Sequence, residues 1–492
     1  MEKLTVKLTN IQQNFGAKEI LNIEELSVYE NDRIGIIGGN GQGKSTLLKI
    51  IHGDLIPEGE VQRETEFNYY PQIAELDELF NIDSLDWELV SQFAIPKNNV
   101  QTLSGGEESK FRLAQLLSVY QMGLLLDEPT THLDQESIKK LVEELRYYYG
   151  TLLFVSHDRY FLNQLANKIW EVQDGKVVEY EGNYDSYKQQ KELEYIENER
   201  ATENYLQEKK RLETAITKKK EQAEKASKVS NKKKQQNIRP DRLASSKQKD
   251  TVQKNMQKTA KSMEARLSKL QEVTPNEKQQ EIAFPSPKSV EIHNKFPIRG
   301  ENLHLVAGNK ILLDKVDFQF SLGKKIAIVG ENGIGKSTLL DYIVNNNEGI
   351  ILSPKVVFSV YRQMDYKLFG DETILSFLMK HTEYPESLVR SILNNLNFAQ
   401  FEVSKPLSGL SGGEATRLSI ALLFARPSNV LVLDEPTNFI DLKTTEALEK
   451  LIAGYEGTVL LTSHDPYFVE KVADEVYEFK EQQLRMISKE EI

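Results

Sequence analysis

The sequence predicts an α/β chain in which one parallel-sheet domain occurs twice in tandem and a long antiparallel α-helical hairpin joins the copies. Three observations carry this. First, four motifs recur in one order along the 492 residues. IGIIGGNGQGKSTLL (34–48) matches IAIVGENGIGKSTLL (326–340), and LSGGE (103–107) matches LSGGE (410–414). LLLDEPTTHLD (124–134) matches LVLDEPTNFID (431–441), and LLFVSHDRYF (152–161) matches VLLTSHDPYF (459–468). Second, apolar runs lead into a Gly-rich loop and a helical run, or end in an aspartate, as strands of a parallel sheet do. Third, no glycine occurs between Gly182 and Gly300, although the chain holds 27.

Taken in order, Met1–Leu8 alternates polar and apolar residues like a first strand. It lacks the long apolar core of a signal peptide. The first domain is expected over 1–187 and the second over 298–492. Lys44 and Lys336 lie 292 residues apart, whereas Asp127 and Asp434, like His157 and His464, lie 307 apart. The second copy therefore holds about 15 extra residues between Gln363 and its LSGGE, and the copies are otherwise collinear. No uncharged apolar run approaches 18 residues, so nothing in the sequence reads as a membrane span.

Residues 188–273 are expected to form the hairpin, being rich in Glu, Gln, Lys and Ala. In its second half Val252, Met256, Ala260, Met263, Leu267 and Leu270 recur at helical spacing. In its first half Leu193, Ile196, Leu206, Leu212 and Ile216 are the expected inward face. Between the halves, KVSNKKKQQNIRPDRLASS (228–246) breaks the periodicity and holds Pro240, which marks it as the tip. A charged linker without fixed structure is the alternative. Residues 274–297, with Pro275, Pro285, Pro287 and Pro297, read as an extended strap into the second copy.

The formal net charge is -12, with 62 Lys+Arg against 74 Asp+Glu. That balance argues against a chain that coats nucleic acid along its whole length. From Lys209 to Lys269, however, there are 20 Lys/Arg against 6 Asp/Glu, a local +14, leaving about -26 on the remainder. Cysteine is absent. Disulfides, cysteine-ligated zinc or iron–sulfur sites and a thiol nucleophile are thereby excluded.

The chemistry sits in the repeats. Gly38, Gly39, Asn40, Gly41, Gln42, Gly43, Lys44, Ser45 and Thr46 fit G-x-x-x-x-G-K-S/T between a strand and a helix. Gly330, Glu331, Asn332, Gly333, Ile334, Gly335, Lys336, Ser337 and Thr338 repeat it. Glycines let backbone N–H groups converge on phosphate oxygens at a helix N-terminus. Lys44 and Lys336 are placed for the β/γ-phosphates, and Ser45 and Ser337 for Mg²⁺. Asp127 and Asp434 end apolar strands, where a carboxylate holds Mg²⁺ through water. Glu128 and Glu435 follow as candidate bases for the attacking water, and His157 and His464 end further strands as candidate γ-phosphate contacts.

With LSGGE, these motifs resemble the ATP-binding cassette ATPases over nearly all of 1–185 and 298–492. The resemblance implies a head-to-tail sandwich. ATP at Lys44 would be closed by Ser411, Gly412 and Gly413, and ATP at Lys336 by Ser104, Gly105 and Gly106. It also implies a glutamine that senses the γ-phosphate beside Mg²⁺, matched by Gln72 and Gln363, and an aromatic residue on the adenine. Phe15 fits in the first copy; the matching place in the second is near Val306.

Two cassettes fused through a charged helical linker, with SHDRYFL (156–162) and EGNYDSY (181–187), resemble the F subfamily. That resemblance implies a cytoplasmic monomer whose partners are the bacterial ribosome near its exit site, large-subunit rRNA and peptidyl-site tRNA. Basic tip residues Lys232, Lys233, Lys234, Arg239 and Arg242 would contact RNA, with Leu243 as an apolar probe. Only 31 residues separate Gln72 from Ser104, too few for the helical arm usual in housekeeping members. With the long linker and IHNKFPI (292–298), this resembles the antibiotic-resistance branch, which displaces macrolides, lincosamides, streptogramins A or pleuromutilins from the ribosome. A housekeeping translation factor and the nucleotide-binding component of an efflux transporter are the alternatives.

Overall fold

The computed structural model describes residues 3–16, 18–72, 85–93, 95, 105–131, 133–228, 244–270, 282, 284, 292–308, 310–362, 370–438 and 440–491. The chain divides into two compact units, Met1–Tyr187 with Gln279–Ile492, and Lys188–Lys278.

In the first unit each repeat builds the same pair of sheets. Strands Arg33–Gly38, Phe67–Tyr70, Gly123–Asp127, Thr151–Val155, Lys168–Gln173 and Lys176–Glu181 form a six-stranded sheet with the phosphate-loop strand inside it. Every pairing is parallel except the last, Lys168–Gln173 with Lys176–Glu181. Thr151–Val155 is buried at all five residues, as is Gly123–Asp127, because helices cover one face and the helix Lys44–His52 with an antiparallel sheet covers the other. The second repeat gives the same order, with Lys325–Val329 between Thr458–Thr462 and Glu475–Lys480. A three-stranded antiparallel sheet flanks each, built on Leu4–Phe15 in one copy and Ile298–Ala307 in the other.

Parallel strands put all their carboxyl ends at one edge, and ligands in such sheets sit there. Gly38, Asp127 and Val155 end adjacent strands on that edge, as do Val329, Asp434 and Thr462. The repeat read from the motifs is therefore a structural repeat, and two phosphate-loop cassettes stand in tandem.

The second cassette reaches back beyond 298 for part of its core. Ile282 and Phe284, inside the expected strap, are buried. The Phe284 ring stacks on Phe424 at 5.3 Å between centroids and meets Tyr455 edge-on at 6.0 Å.

The second unit contains most of the helix Tyr184–Lys228 and the helix Ala244–Leu267. Ala244, Ser245 and Ser246 are helical, so the helix starts earlier than the tip expected over 228–246 allowed. Leu212, Ile216 and Ala260 are buried, whereas Leu193 and Leu206 face solvent at 61% and 55% exposure, contrary to the inward face expected for them. Cross-helix ion pairs join Lys220 to Glu264 at 2.7 Å and Glu208 to Arg266 at 3.3 Å. The tip residues Lys232, Lys233, Lys234, Arg239, Arg242 and Leu243 lie outside the described residues. Among the described residues no helix is long and apolar enough to cross a membrane.

Candidate functional site: two phosphate loops on one cavity

A cavity of about 1140 Å³ in the first unit is lined by residues from both copies. Lys44, Glu128 and His157 line it, as do Lys336, Glu435 and His464. Each phosphate loop turns on glycines in left-handed backbone, Gly43 at φ 100° and Gly335 at φ 118°, directly before a helix. Only glycine takes that conformation without strain. At Gly38, φ 151°, a Cβ would also lie 2.4 Å from the Val172 carbonyl oxygen.

The lysines are held ready by their own loops. Lys44 Nζ donates to the carbonyls of Gly38 and Gly39 at 2.8 and 3.2 Å, and Lys336 Nζ to those of Gly330 and Glu331 at 2.8 and 3.0 Å. Burial lowers the pKa of both. Lys336 Nζ also meets His464 Nε2 at 3.0 Å.

The glutamates occupy strained backbone. Glu128 and Glu435 have φ 52° and 47°, a region that non-glycine residues rarely occupy and that costs about 1–3 kcal/mol. The same outlier in both copies fixes the carboxylate against the next strand. His157 N–H donates to Glu128 Oε2 at 3.3 Å and His464 N–H to Glu435 Oε2 at 3.2 Å. Both glutamates are 9% exposed, and the second oxygen of each, Oε1, faces a histidine ring nitrogen, His157 Nε2 at 3.3 Å and His464 Nε2 at 3.1 Å. Burial pushes Glu128 and Glu435 up to about 7, against the pull of Lys44 and Lys336. Burial, reinforced by those lysines, pushes His157 down to about 3 and His464 to about 4, so both imidazoles are neutral at pH 7.

Ser45 bonds to Asp127, and Ser337 Oγ donates to Asp434 Oδ1 at 2.9 Å. Tyr69 Oη donates to Asp127 Oδ2 at 3.3 Å. Asp127 Oδ1 is buried without a hydrogen-bond partner. A hydroxyl beside a carboxylate with a spare oxygen is the donor set a hard divalent cation takes. Gln72 lines the same cavity. Gln363 and Ser104 lie outside the described residues.

Phe15 stands at the cavity mouth, 53% exposed. Its counterpart follows from strand register. Phe15 pairs with Lys18 across one turn and Ala307 with Lys310 across the other, so strand register puts the matching place in the second copy at Ala307, beside Val306.

The first LSGGE segment also reaches this cavity. Gly106 lines it, and Gly105 begins the helix Gly105–Ser118. In the second copy Ser411 caps the helix Gly412–Ala425 through a reciprocal capping box with Glu414. Gly413 lies against the first phosphate loop, since a Cβ there would sit 3.6 Å from Asn40 Nδ2.

The motifs did not single out Asp441. It caps the helix Leu442–Ala453 and also accepts the Asn40 N–H at 3.0 Å, so it reaches the first loop from the second copy. Asp134, its counterpart, instead takes Lys110 at 3.0 Å in its own cassette. A capping aspartate gives no sequence signal for which of these it will do.

Asp158 and Asp465, which follow the histidines, are buried near each other. Burial, with the Asp465 charge added, pushes Asp158 up to about 7. A carboxyl raised in the fold destabilises it once ionised, and this penalty grows as pH rises from about 4 to about 7. Asp158→Asn keeps an oxygen for the Phe161 N–H. We expect a stability gain of about 1–2 kcal/mol above pH 7, reduced for partial solvent access. Thermal unfolding at pH 8 and pH 5 checks it; a gain no larger at pH 8 than at pH 5 refutes it.

A family model described as ABC transporter matches residues 21–131 and again 313–438, and a second with the same description matches 170–253. The chain is 44% identical over 490 residues to the erythromycin resistance ATP-binding protein MsrA of Staphylococcus epidermidis, covering 99% of this chain and 100% of that protein. It is 32% identical over 477 residues to the ribosome protection protein VmlR of Bacillus subtilis, covering 96% and 86%. Among solved structures, the archaeal ribosome recycling factor in complex with the ribosomal stalk protein aP1 superposes with TM-score 0.65 at 19% identity, covering 95% and 87%. That likeness concerns the fold.

Proposed function

The chain belongs to the F subfamily of ATP-binding cassette ATPases, and from that premise we propose that it is a ribosome protection factor. It binds antibiotic-stalled bacterial ribosomes and displaces the drug. One observation carries the reading: the 44% match to an erythromycin resistance protein runs end to end, linker included, and covers the whole of that protein. The protein works in the cytoplasm as a monomer with an intramolecular ATP sandwich.

ATP at Lys44 is closed by Ser411, Gly412 and Gly413, and ATP at Lys336 by Ser104, Gly105 and Gly106. Ser45, Asp127 and Gln72 would hold Mg²⁺ in the first site, and Ser337, Asp434 and Gln363 in the second. When bound, Mg²⁺ neutralises phosphate charge as the terminal phosphoryl leaves. Glu128 and Glu435 orient the attacking water and take its proton, and the neutral His157 and His464 face the γ-phosphate. Closure fits the protein to the ribosome near the exit site, and hydrolysis reopens it.

The helices 184–228 and 244–267 are the arms of an antiparallel hairpin, the buried Leu212, Ile216 and Ala260 its seam. Its basic tip, Lys232, Lys233, Lys234, Arg239, Arg242 and Leu243, works against rRNA and the peptidyl-site tRNA. Lys/Arg at the tip neutralise RNA phosphates, and a helical pair supplies reach into a crowded RNA cavity.

The test is a membrane-free translation extract inhibited by a macrolide, a lincosamide, a streptogramin A or a pleuromutilin. Purified protein with ATP should restore synthesis for at least one class and lower the drug bound to ribosomes. No rescue with any class refutes the proposal. Stimulation that is equal with and without drug identifies a housekeeping factor instead.

A further inference from the structure

The helices that follow the two histidines begin differently. Arg159 opens the first, Arg159–Leu165, and Pro466 opens the second, Pro466–Val472. Arg159 is 6% exposed, and its Nη1 donates to Glu449 Oε1 at 2.6 Å, with Glu449 3% exposed. Lys471 Nζ lies 2.7 Å from the second Glu449 oxygen. Asp158 and Asp465 add negative charge near the guanidinium, and Tyr184, bonded to Glu446, stands beside it.

This pair joins two parts of one site. Arg159 is two residues beyond His157, which lines the cavity with Lys44 and Glu128. Glu449 lies on the helix Leu442–Ala453 from the second copy, whose capping Asp441 holds the Asn40 N–H of the same phosphate loop. The 307-residue offset carries Arg159 onto Pro466 and Glu449 onto Val142, which is 1% exposed. The second site thus has an apolar residue and a proline where the first has a buried ion pair.

Desolvation offsets most of the attraction in a buried pair, so an apolar pair of similar volume serves stability as well. The charged, hydrogen-bonded pair supplies direction in return. We propose that Arg159 and Glu449 are positioning residues for the first ATP site alone. They lock the His157 segment to the helix that brings Asp441 across, so that hydrolysis at Glu128 requires this cross-copy contact and hydrolysis at Glu435 does not. The proposal rests on Glu128 and Glu435 being the hydrolytic carboxylates.

The test separates the sites. Glu435→Gln leaves the first site to turn over, and Glu128→Gln leaves the second. Glu449→Gln, close to isosteric, should cut kcat about tenfold or more in the first background with little change in KM, and less than about twofold in the second. Arg159→Pro with Glu449→Val copies the residues of the other copy, and proline suits a first helical position. This double variant should keep the parent Tm yet leave first-site turnover low. Equal losses in both backgrounds, or a double variant that regains first-site turnover along with Tm, would overturn the proposal and leave the pair a plain interface contact. Unchanged turnover in Glu128→Gln and Glu435→Gln themselves would overturn the assignment beneath it, and the proposal with it.

Discussion

Glu128→Gln combined with Glu435→Gln is expected to lower ATP turnover by about 10³-fold while ATP still binds. Each carboxylate is buried and fixed by a strained φ, with one oxygen facing the ring of a neutral histidine. A positioned base contributes about 10²–10⁴ in rate, and glutamine keeps the shape but cannot take a proton. Glutamine can still accept the His157 and His464 N–H bonds, so the local backbone holds. Phosphate release measures the rate, and equilibrium dialysis with ATP measures binding. The variant should close on ATP and stay on ribosomes in sedimentation; an ATP-loaded variant that sediments free of ribosomes counts against the ribosome mechanism.

Lys44→Ala with Lys336→Ala is expected to act one step earlier, at nucleotide binding. Each ammonium is directed into its loop by two carbonyls of that loop, so little ordering remains when phosphate arrives. A hydrogen bond to a charged group is worth about 1.5–3 kcal/mol, which is about 10- to 150-fold in Kd per site. The histidines of both sites should respond as well, since Lys44 helps hold His157 down and Lys336 helps hold His464 down. Lys336 touches His464 Nε2 and helps hold that imidazole down at about 4, so Lys336→Ala should raise the His464 pKa toward its ordinary value. An NMR titration of the histidine signals reads that shift. ATP affinity unchanged in the double variant would remove the lysines from the phosphate site.

The tandem cassettes were legible in the sequence because each motif joins a backbone requirement to a chemical one. Gly43 and Lys44 illustrate this: the glycine permits φ 100°, and the lysine follows it into the helix. The strain at Glu128 and Glu435 was not legible, since glutamate is not a residue type that announces a positive φ. Nor was Asp441, whose capping role is local and readable while its reach to Asn40 depends on how the copies meet. Periodicity also failed to sort Leu193 and Leu206 from Leu212 and Ile216, because a stripe gives the spacing of a face but not the extent of the surface that covers it. Phe15 was named through the family resemblance, and the 292-residue offset between the lysines carries it to Ala307, where strand register also puts its counterpart.

Ile282 and Phe284 change what can be cut and exchanged in this chain. A second cassette excised at Ile298 would look whole by its motifs yet leave the faces of Phe424 and Tyr455 bare to water. Burying a large aromatic side chain is worth about 1.5–3 kcal/mol, so such a fragment would be poorly stable and prone to associate. A linker transplanted from another chain would meet the same difficulty if its junction fell after Phe284. Any exchange of the linker must therefore end before Ile282, or carry with it the residues that seal the recipient's core.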